Sequence, residues 1–326
     1  MIDLTLLLLL CLPVIIILMV CAYVFRICFY SPKDRTEDPY TLIPGEQYKQ
    51  LGDVIIACTR AMDTTPCEWV KTQSFDGLVL AARYYHTADD APTVIVMHGY
   101  HGNALRDGAG GFSLAKKLGF NVLVPDQRAH ARSGGRVITF GIRERKDCAS
   151  WVEYANARLG ARPVILAGLS MGAATVLMAA DLDLPVNVVG IMADCPYSSP
   201  TGIIRKVCKD RGFPERFIYP FIKFSALLFG GFHLEETSAV QAVGNTNIPI
   251  LLFHGDDDRF VPWEMSKKIA SACRSPVQLE IIPDAGHGLC YMIDPVRYET
   301  SAVQFLWKIK ALETYLLQNN FALEHR

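Results

Sequence analysis

The sequence predicts an α/β fold, with a mostly parallel central sheet, helices on both of its faces and one apolar helix at the N-terminus. Three observations lead to this prediction. Short apolar runs alternate with helical patterns from residue 93 onward, residues 4–25 are apolar and uncharged, and a G-x-S-x-G pattern follows one of the apolar runs. Strands that are apolar along their whole length are typical of parallel sheets that helices cover on both faces.

The N-terminal apolar stretch reads LTLLLLLCLPVIIILMVCAYVF over residues 4–25. A helix that rises about 1.5 Å per residue crosses a hydrocarbon core of about 30 Å at this length. The alternative is a cleaved signal peptide, but residues 1–3 carry no basic side chain and no A-x-A cleavage site follows. We therefore expect an uncleaved, single-pass transmembrane anchor, and we assign it with its flank to residues 1–30.

Two features indicate on which side of the membrane the main domain lies. Arg26, Lys33 and Arg35 follow the apolar stretch, and basic residues in short flanks tend to stay in the cytoplasm. Most of the 10 cysteines are scattered without a C-x-x-C pair, which is typical of a reducing compartment. We expect the main domain on the cytoplasmic side. Because Lys+Arg 32 and Asp+Glu 33 nearly balance, no basic surface field predicts a nucleic-acid partner.

The rest of the chain divides into a connecting segment and one large domain. Residues 31–45 are polar and interrupted by proline, and apolar residues from Tyr48 to Met62 recur at helical spacing. We assign residues 31–66 to a juxtamembrane linker and an amphipathic helix, and residues 67–326 to the α/β domain. The domain begins with a hairpin over 68–85. Further strands are predicted at 93–99, 121–126, 163–168, 186–194, 248–255 and 277–283, and helices at 112–119, 143–159, 171–181, 263–273 and 296–318.

The G-x-S-x-G pattern places Ser170 between a predicted strand and a predicted helix. A nucleophilic serine on such a turn needs small residues two positions before and after it, because the chain reverses sharply there. Gly168 and Gly172 meet this need, and the helix N-terminus directs backbone N–H groups at a developing negative charge. The alternative is an ordinary glycine turn in which the serine caps the helix.

A serine nucleophile requires a base and a group that orients the base. The segments HGDDDRFVP (254–262) and PDAGHG (283–288) each follow a predicted strand, so their side chains meet Ser170 at one edge of the sheet. His287, flanked by two glycines, is the expected base. Spacing alone leaves the acid open among Asp194 and three adjacent residues, Asp256, Asp257 and Asp258.

A second donor to the oxyanion is expected in MHGYHGN (97–103), which follows the first parallel strand. We expect the backbone N–H groups of Tyr100 and Met171 to provide the two donors. His98 and His101 lack further ligands at a usual metal spacing, so no metal is expected. His98, His130 and His254 are expected to be structural.

The order of these motifs resembles the α/β-hydrolase superfamily, and in particular its bacterial serine-esterase and serine-aminopeptidase-like branch. The resemblance covers the chain from about Glu68 to Trp307. It implies the α/β-hydrolase fold, Ser170 as nucleophile, Asp258 as acid, His287 as base, Tyr100 and Met171 as oxyanion donors, and no cofactor. One motif departs from the family: DQRAHARSGG (126–135) has Ala129 and Ala131 where the family usually has glycine, which bears on substrate fit rather than on reaction class.

A long interval between two predicted strands, about 195–247, resembles the small helical cap of this superfamily. It is rich in aromatic residues, which either line a substrate pocket or bury the cap against the domain. The expected pocket residues are Phe217, Phe221, Phe224 and Phe229. Beside an anchor, an apolar cap also suits substrates taken from a lipid surface.

Together these features predict a membrane-anchored serine hydrolase that acts on small-molecule carboxylic esters. The alternative enzymes are a serine peptidase of the aminopeptidase type and a thioesterase, each with the same three residues. If the protein is not an enzyme, the alternative is a binding protein that has the same fold but no catalytic activity.

Overall fold

The structure is a computed structural model that describes residues 4–32 and 38–319. The described residues contain one eight-stranded sheet in the order β1-β2-β4-β3-β5-β6-β7-β8. Strand β2 is antiparallel to β1 and β4, and the other neighbours are parallel. The predicted hairpin and the six further strands are confirmed. The strands are β1 (Glu68–Gln73), β2 (Val79–Tyr85), β3 (Thr93–Met97), β4 (Asn121–Asp126), β5 (Val164–Leu169), β6 (Val188–Asp194), β7 (Ile250–Gly255) and β8 (Val277–Ile282).

The predicted helices are present in the described residues with three differences. The amphipathic helix predicted from Tyr48 to Met62 is divided at Leu51 into two helices. The helix predicted at 112–119 begins at Ala104, because the Asn103 side chain caps it by accepting from the Leu105 N–H. The helix predicted at 296–318 is divided by Ile309, whose backbone is extended. The helices are α1 (Leu4–Cys28), α2 (Glu46–Gln50), α3 (Gly52–Thr64), α4 (Ala104–Lys117), α5 (Glu144–Leu159), α6 (Met171–Ala179), α7 (Pro200–Asp210), α8 (Glu215–Gly230), α9 (Ala239–Val243), α10 (Glu264–Ala272), α11 (Cys290–Ile293), α12 (Pro295–Trp307) and α13 (Lys310–Gln318).

Helices cover both faces of the sheet. Alternate side chains of a strand point to opposite faces, so Ile95 packs with α5 and α6 while Val94 and Val96 pack with α4 and α12. The parallel strands are therefore buried on both sides, as their apolar sequences predict. Their carboxyl ends share one edge of the sheet, where β5, β7 and β8 lead into the loops of the candidate site.

Helix α1 is long and apolar enough over Cys11–Cys28 to cross a membrane, and almost none of that window is buried in the protein. Its end is fixed to the domain: Phe29 is fully buried, and the Ser31 N–H donates to the Arg136 carbonyl over 2.9 Å. Phe25 packs on Phe229 of α8 with ring centroids 5.7 Å apart. A signal sequence meets the same length criterion, and Lys33 and Arg35, on which the expected sidedness partly rests, lie outside the described residues.

Candidate active site

Ser170 occupies a strained turn between β5 and α6, with φ 55° and ψ −113°. The chain is so tight here that a Cβ on Gly172 would lie 2.0 Å from the Met97 carbonyl oxygen, and one on Gly168 would lie 2.4 Å from the backbone of Gly172. The Ser170 side chain makes no capping hydrogen bond to α6. The turn therefore has the backbone of a nucleophile elbow, and the ordinary capping role does not apply.

His287 lies between a serine and a carboxylate. Its Nε2 is 2.8 Å from the Ser170 hydroxyl oxygen, and its Nδ1 is 2.7 Å from Asp258 Oδ2. The three side chains come from the loops after β5, β7 and β8, whose ends share one edge of the sheet. An imidazole in this position can accept the hydroxyl proton on one nitrogen while the carboxylate holds the other.

The structure distinguishes the three adjacent aspartates. Asp256 accepts from the Asp284 N–H, and Asp257 bonds to Gln47 and Arg259 at the edge of the site. Asp258 alone among them contacts His287, and its side chain is fully buried. The spacing in the sequence did not show which of the three aspartates faces His287, whereas the directions of their side chains in the turn do.

Asp258 is held as a carboxylate by its surroundings. Burial acts to raise its pKa, but hydrogen bonds from His254 and His287 outweigh burial and hold the pKa below its usual range. Its Oδ1 also accepts the N–H groups of Phe260 and Val261 at 2.9 and 2.8 Å. The negative charge therefore faces His287 across the whole neutral pH range. His254, expected to be structural, is fully buried and bonds to the Val261 carbonyl over 2.8 Å.

The loop after β3 touches the Ser170 turn. A Cβ on Gly99 would lie 3.6 Å from the Ser170 Cβ, and Met171 follows Ser170 directly as the first residue of α6. Asp107 of α4 fixes the loop, because its Oδ2 accepts the Gly99 N–H at 3.0 Å. The Tyr100 hydroxyl donates to the Cys28 carbonyl at the end of α1 over 2.9 Å. The loop is thus braced both by α4 and by the N-terminal helix.

A cavity of about 920 Å³ opens beside Ser170 and His287. None of the four phenylalanines expected in a pocket lines it, and neither does any other residue of 195–247. Phe217, Phe224 and Phe229 are instead 67%, 45% and 42% exposed on α8, and Phe221 is half-buried there. The sequence left open whether these aromatic residues line a pocket or bury the cap; they do not line the cavity and three of them are exposed, so these pocket assignments are corrected.

The cover over the cavity comes from the segment that the sequence assigned to a linker. Residues 38–50, which we call the strap, include α2 and line the cavity from Thr41 to Tyr48. Gln47 Nε2 donates to Asp257 Oδ2 and to the Asp284 carbonyl, and the Tyr48 hydroxyl donates to the His287 carbonyl. The helical spacing from Tyr48 onward was a signal for packing, but it did not indicate packing on the site.

Asp194, the other candidate acid, lies at the end of β6 beside the cavity. It does not contact His287 through a hydrogen bond; its backbone carbonyl accepts the Ser170 N–H over 2.9 Å. Burial raises the pKa of its carboxyl to about 6, and its Oδ1 has no hydrogen-bond partner among the described residues. It is thus a buried acid of the cavity wall rather than the partner of the imidazole.

One group of side chains in the described part has the spacing of metal ligands: the ligand atoms of Cys195, Asp258 and His287 lie within 4.8 Å of one another. Cys195 is fully buried, and burial raises the pKa of its thiol well above the usual range. A protonated thiol is a poor metal ligand, and Asp258 and His287 already bond to each other. The chemistry of the group suits proton transfer better than metal binding.

Ala129 and Ala131 adopt the backbone that glycine favours, with φ 62° and 38°. Both alanines therefore keep a backbone that suits glycine, and they place two methyl groups where the family usually has none. Left-handed backbone costs a non-glycine residue roughly 1–2 kcal/mol. His101, Ser170 and Asp284 also have positive φ, so strain is concentrated around this edge of the sheet.

Comparison with known sequences gives a family and relatives. The sequence model of the alpha/beta hydrolase family matches residues 94–300. The uncharacterized protein YqkD of Bacillus subtilis is 28% identical over 226 residues, which are 68% of this chain and 74% of that protein. The lysophosphatidylserine lipase ABHD12 of Danio rerio is 23% identical over 214 residues, which are 62% of this chain and 51% of that protein.

Among solved structures, the esterase Pf2001 of Pyrococcus furiosus resembles the chain with a TM-score of 0.64. The two chains are 21% identical, and the match covers 86% of this chain and 98% of the esterase. At this level of identity the likeness shows that the two proteins share a fold.

Proposed function

We propose that this chain, which belongs to the alpha/beta hydrolase family, is a serine hydrolase that cleaves carboxylic esters through an acyl-enzyme intermediate. The observation that carries the proposal is the unbroken line of hydrogen bonds from Ser170 through His287 to Asp258, at 2.8 and 2.7 Å. The same arrangement occurs on several unrelated folds that perform acyl transfer. Two of the similar proteins are an esterase and a lipase by name, which agrees with ester chemistry.

In the proposed mechanism, Ser170 Oγ attacks the ester carbonyl carbon while His287 Nε2 accepts the hydroxyl proton. Asp258 holds the other imidazole N–H and stabilises the positive charge that forms on the ring. The backbone N–H groups of Tyr100 and Met171 stabilise the tetrahedral oxyanion. The oxyanion collapses, the bond to the alcohol oxygen breaks, and His287 returns the proton to the leaving alcohol.

The second half of the reaction repeats these steps with water. His287 accepts a proton from a water molecule, whose oxygen attacks the acyl carbon bound to Ser170. A second oxyanion forms and collapses, the carboxylic acid leaves, and Ser170 recovers its proton from the imidazole. Every proton transfer uses groups of this chain, the substrate or water.

The test is the hydrolysis of p-nitrophenyl butyrate by the full-length protein in lipid nanodiscs. Ser170→Ala is expected to lower kcat at least about 10³-fold. Ser271→Ala is the matched control, because Ser271 is an exposed residue of α10 that bonds only to its own helix, at the Lys267 carbonyl. Wild-type turnover that persists in Ser170→Ala would overturn the proposal. A binding protein without activity would give no turnover in any of the three proteins.

We favour an esterase over an aminopeptidase. An aminopeptidase cleaves an amide next to a free amino terminus, so it needs a carboxylate that faces the substrate amine. Of the cap acids, Glu235 pairs with Lys223, and Glu236 lies 3.5 Å from Arg145. Neither these acids nor Glu215 line the cavity. The acids that do line it are engaged or buried: Glu46 bonds to Gln50, Asp107 to Arg106 and Asp257 to Arg259, and burial raises the pKa of Asp194. A panel of matched p-nitrophenyl esters, aminoacyl p-nitroanilides and thioesters tests this choice, and faster p-nitroanilide cleavage would reverse it.

We also propose that the protein contacts a lipid bilayer through both α1 and α8. Phe217, Phe221, Phe224 and Leu228 recur at a spacing of three or four residues, so they lie along one face of α8. Three of them are exposed, Arg216 and Lys223 flank them, and α8 packs against the candidate span α1 through Phe229. An amphipathic helix with an aromatic face and basic flanks is typical of the membrane interface.

Quenching by brominated lipids tests this contact in nanodiscs that hold the full-length chain. Phe224→Trp is expected to add fluorescence that the brominated lipids quench. Val186→Trp is the control, because Val186 is fully exposed in the loop before β6, at the opposite edge of the sheet. Equal quenching of the two added tryptophans would contradict the proposed contact of α8.

A further inference from the structure

The cavity beside Ser170 continues into the domain along one face of the sheet. Its floor consists of side chains from neighbouring strands in register, arranged in successive rows. Leu169 and Asp194 form the row nearest Ser170. Below them, Ala167 is level with the side chains of Val96 on β3 and Met192 on β6, and the lowest row is Val94 with Ile165. Below the first row, every floor residue is apolar.

The opposite wall of the cavity is one face of α4. Residues Arg106 and Asp107 lie at the mouth, and the face continues inward through Gly110, Gly111, Leu114, Ala115 and Leu118. At the middle row the helix packs directly on the floor, because a Cβ on Gly111 would lie 3.5 Å from Val96, and this contact bounds the channel on one side. Tyr298 and Leu306 of α12 close one side. The result is a long, mostly apolar channel whose charged groups lie at its mouth.

Two independent measures give the same length for this channel. Ile165 lies five residues before Ser170 on a strand, which corresponds to about 16 Å. From Arg106 to Leu118 the wall helix advances about 18 Å. With carbon–carbon bonds of about 1.5 Å in a zigzag, an extended alkyl chain of about twelve carbons fills this length.

We propose that this channel binds the acyl chain of the substrate, and that the substrate is therefore an ester of a long, unbranched fatty acid. The inference rests on the proposed ester hydrolysis, because the channel begins at Ser170, where the carbonyl carbon must lie. A short or aromatic acyl group would contact only the row at the mouth and leave the apolar interior unfilled. The alcohol portion faces the strap and the charged residues at the mouth, Arg106, Asp257 and Arg259.

The first test measures hydrolysis of p-nitrophenyl esters from four to sixteen carbons by the full-length protein in nanodiscs. Burial of each CH₂ is expected to raise kcat/KM up to about fourfold, until the chain reaches about twelve carbons. Ala167→Leu adds bulk at the middle row, about 10 Å from Ser170, and Ile165→Phe adds bulk at the lowest row. Partition of the esters into the bilayer is the same for every variant, so it cancels in the ratio to wild type.

The variants are expected to shorten the preferred chain by different amounts. Ala167→Leu is expected to lower kcat/KM at least about tenfold for chains longer than about eight carbons, and Ile165→Phe only for those longer than about twelve. Circular dichroism and thermal unfolding of both variants check that they fold. Lys117→Leu is the matched control on the exposed side of α4 and should not change the preference. Unchanged chain-length profiles in both cavity variants, with thermal unfolding that shows folded protein, would overturn the acyl channel and leave the ester hydrolase intact.

The second test does not depend on turnover. A twelve-carbon fatty acid with a terminal diazirine is photolysed with full-length Ser170→Ala in nanodiscs, and the crosslinked residues are mapped by mass spectrometry. Crosslinks at the inner end of the channel, to Leu118, Phe120 or Leu306, are expected. Crosslinks found only in α1 and α8 would overturn the channel. Crosslinks at the inner end of the channel that Ala167→Leu does not reduce, in the Ser170→Ala background, would also overturn it. If no ester is hydrolysed, the proposed function fails, and this crosslinking still decides whether the channel binds an acyl chain.

Discussion

The Tyr48 hydroxyl donates a 2.5 Å hydrogen bond to the backbone carbonyl of His287. Tyr48 lies in the strap and His287 in the loop after β8, so this bond joins the segment that follows α1 to the loop that carries the imidazole. A side chain of Gly286 would collide with Gln47, whose Oε1 would lie 2.2 Å from an added Cβ. The strap therefore fixes the position of the His287 loop.

Tyr48→Phe is expected to remove this brace while keeping the ring that lines the cavity. A lost hydrogen bond of about 0.5–1.5 kcal/mol corresponds to a decrease in kcat of roughly two- to tenfold, with KM and melting temperature nearly unchanged. Ester hydrolysis and thermal unfolding of the same preparation measure both. Tyr40→Phe is the matched control, because the Tyr40 hydroxyl bonds to Asp63 away from the site. If both variants changed kcat equally, Tyr48 would have no positioning role.

Gly172→Ala is expected to prevent the elbow from forming, because the new methyl would lie 2.0 Å from the Met97 carbonyl oxygen. Backbone on both sides would have to move, and we expect loss of folded protein or a melting temperature lower by several degrees. Gly244→Ala is the control, because Gly244 has φ −73° at the end of α9 and its nearest neighbour would lie 3.4 Å away. Circular dichroism on heating compares them, and an unaffected Gly172→Ala would contradict the described turn.

Asp194→Asn is expected to stabilise the protein above pH 6. Burial raises the pKa of Asp194 from 3.8 to about 6. Below pH 4 the Asp194 carboxyl is protonated in both the folded and the unfolded protein. Between pH 4 and 6 it is protonated only in the folded protein. The free energy of unfolding therefore falls as pH rises from about 4 to about 6, and above pH 6 the folded protein holds a buried charge. Asp194→Asn should raise the melting temperature by roughly 3–8 °C at pH 8 and by little at pH 4.

Asp147→Asn is the contrasting variant for this experiment. Asp147 pairs with Arg128 through two contacts of 2.6 Å, and both side chains are 2% exposed. Burial raises the pKa of Asp147 to about 6 as well, but its charge, unlike that of Asp194, is paired with a buried guanidinium. Removing the charge leaves Arg128 short of a partner, so Asp147→Asn should lower the melting temperature at pH 8. Equal shifts in the same direction for the two variants would contradict the different surroundings of these buried acids.

The sequence was sufficient for the sheet and for the order of the three site residues along the chain. Apolar runs separated by helices predict a parallel sheet, and the carboxyl ends of its strands must meet at one edge. Ser170 and His287 follow from this rule because each lies just after a strand beside glycine. Asp258 did not follow from spacing, since the directions of three adjacent side chains depend on the turn; the family pattern separated them.

The cover and the channel depend on contacts between distant parts of the chain. Nothing local in residues 38–50 indicates that Tyr48 reaches His287, and the channel floor requires the register of β3, β5 and β6. The α8 phenylalanines were misplaced because an apolar helical face predicts burial without identifying the medium that it faces. Since α8 lies beside α1, its exposed face is consistent with a membrane rather than with a pocket.

The most direct test of the account is the site of reaction with a fluorophosphonate, which modifies only an activated serine. Full-length protein in nanodiscs is treated with the reagent, digested and analysed by peptide mass spectrometry. One modified residue is expected, Ser170, with labelling lost in Ser170→Ala and slowed at least about 10³-fold in His287→Ala. Modification of a different serine, or labelling of Ser170 at the same rate in His287→Ala, would contradict it.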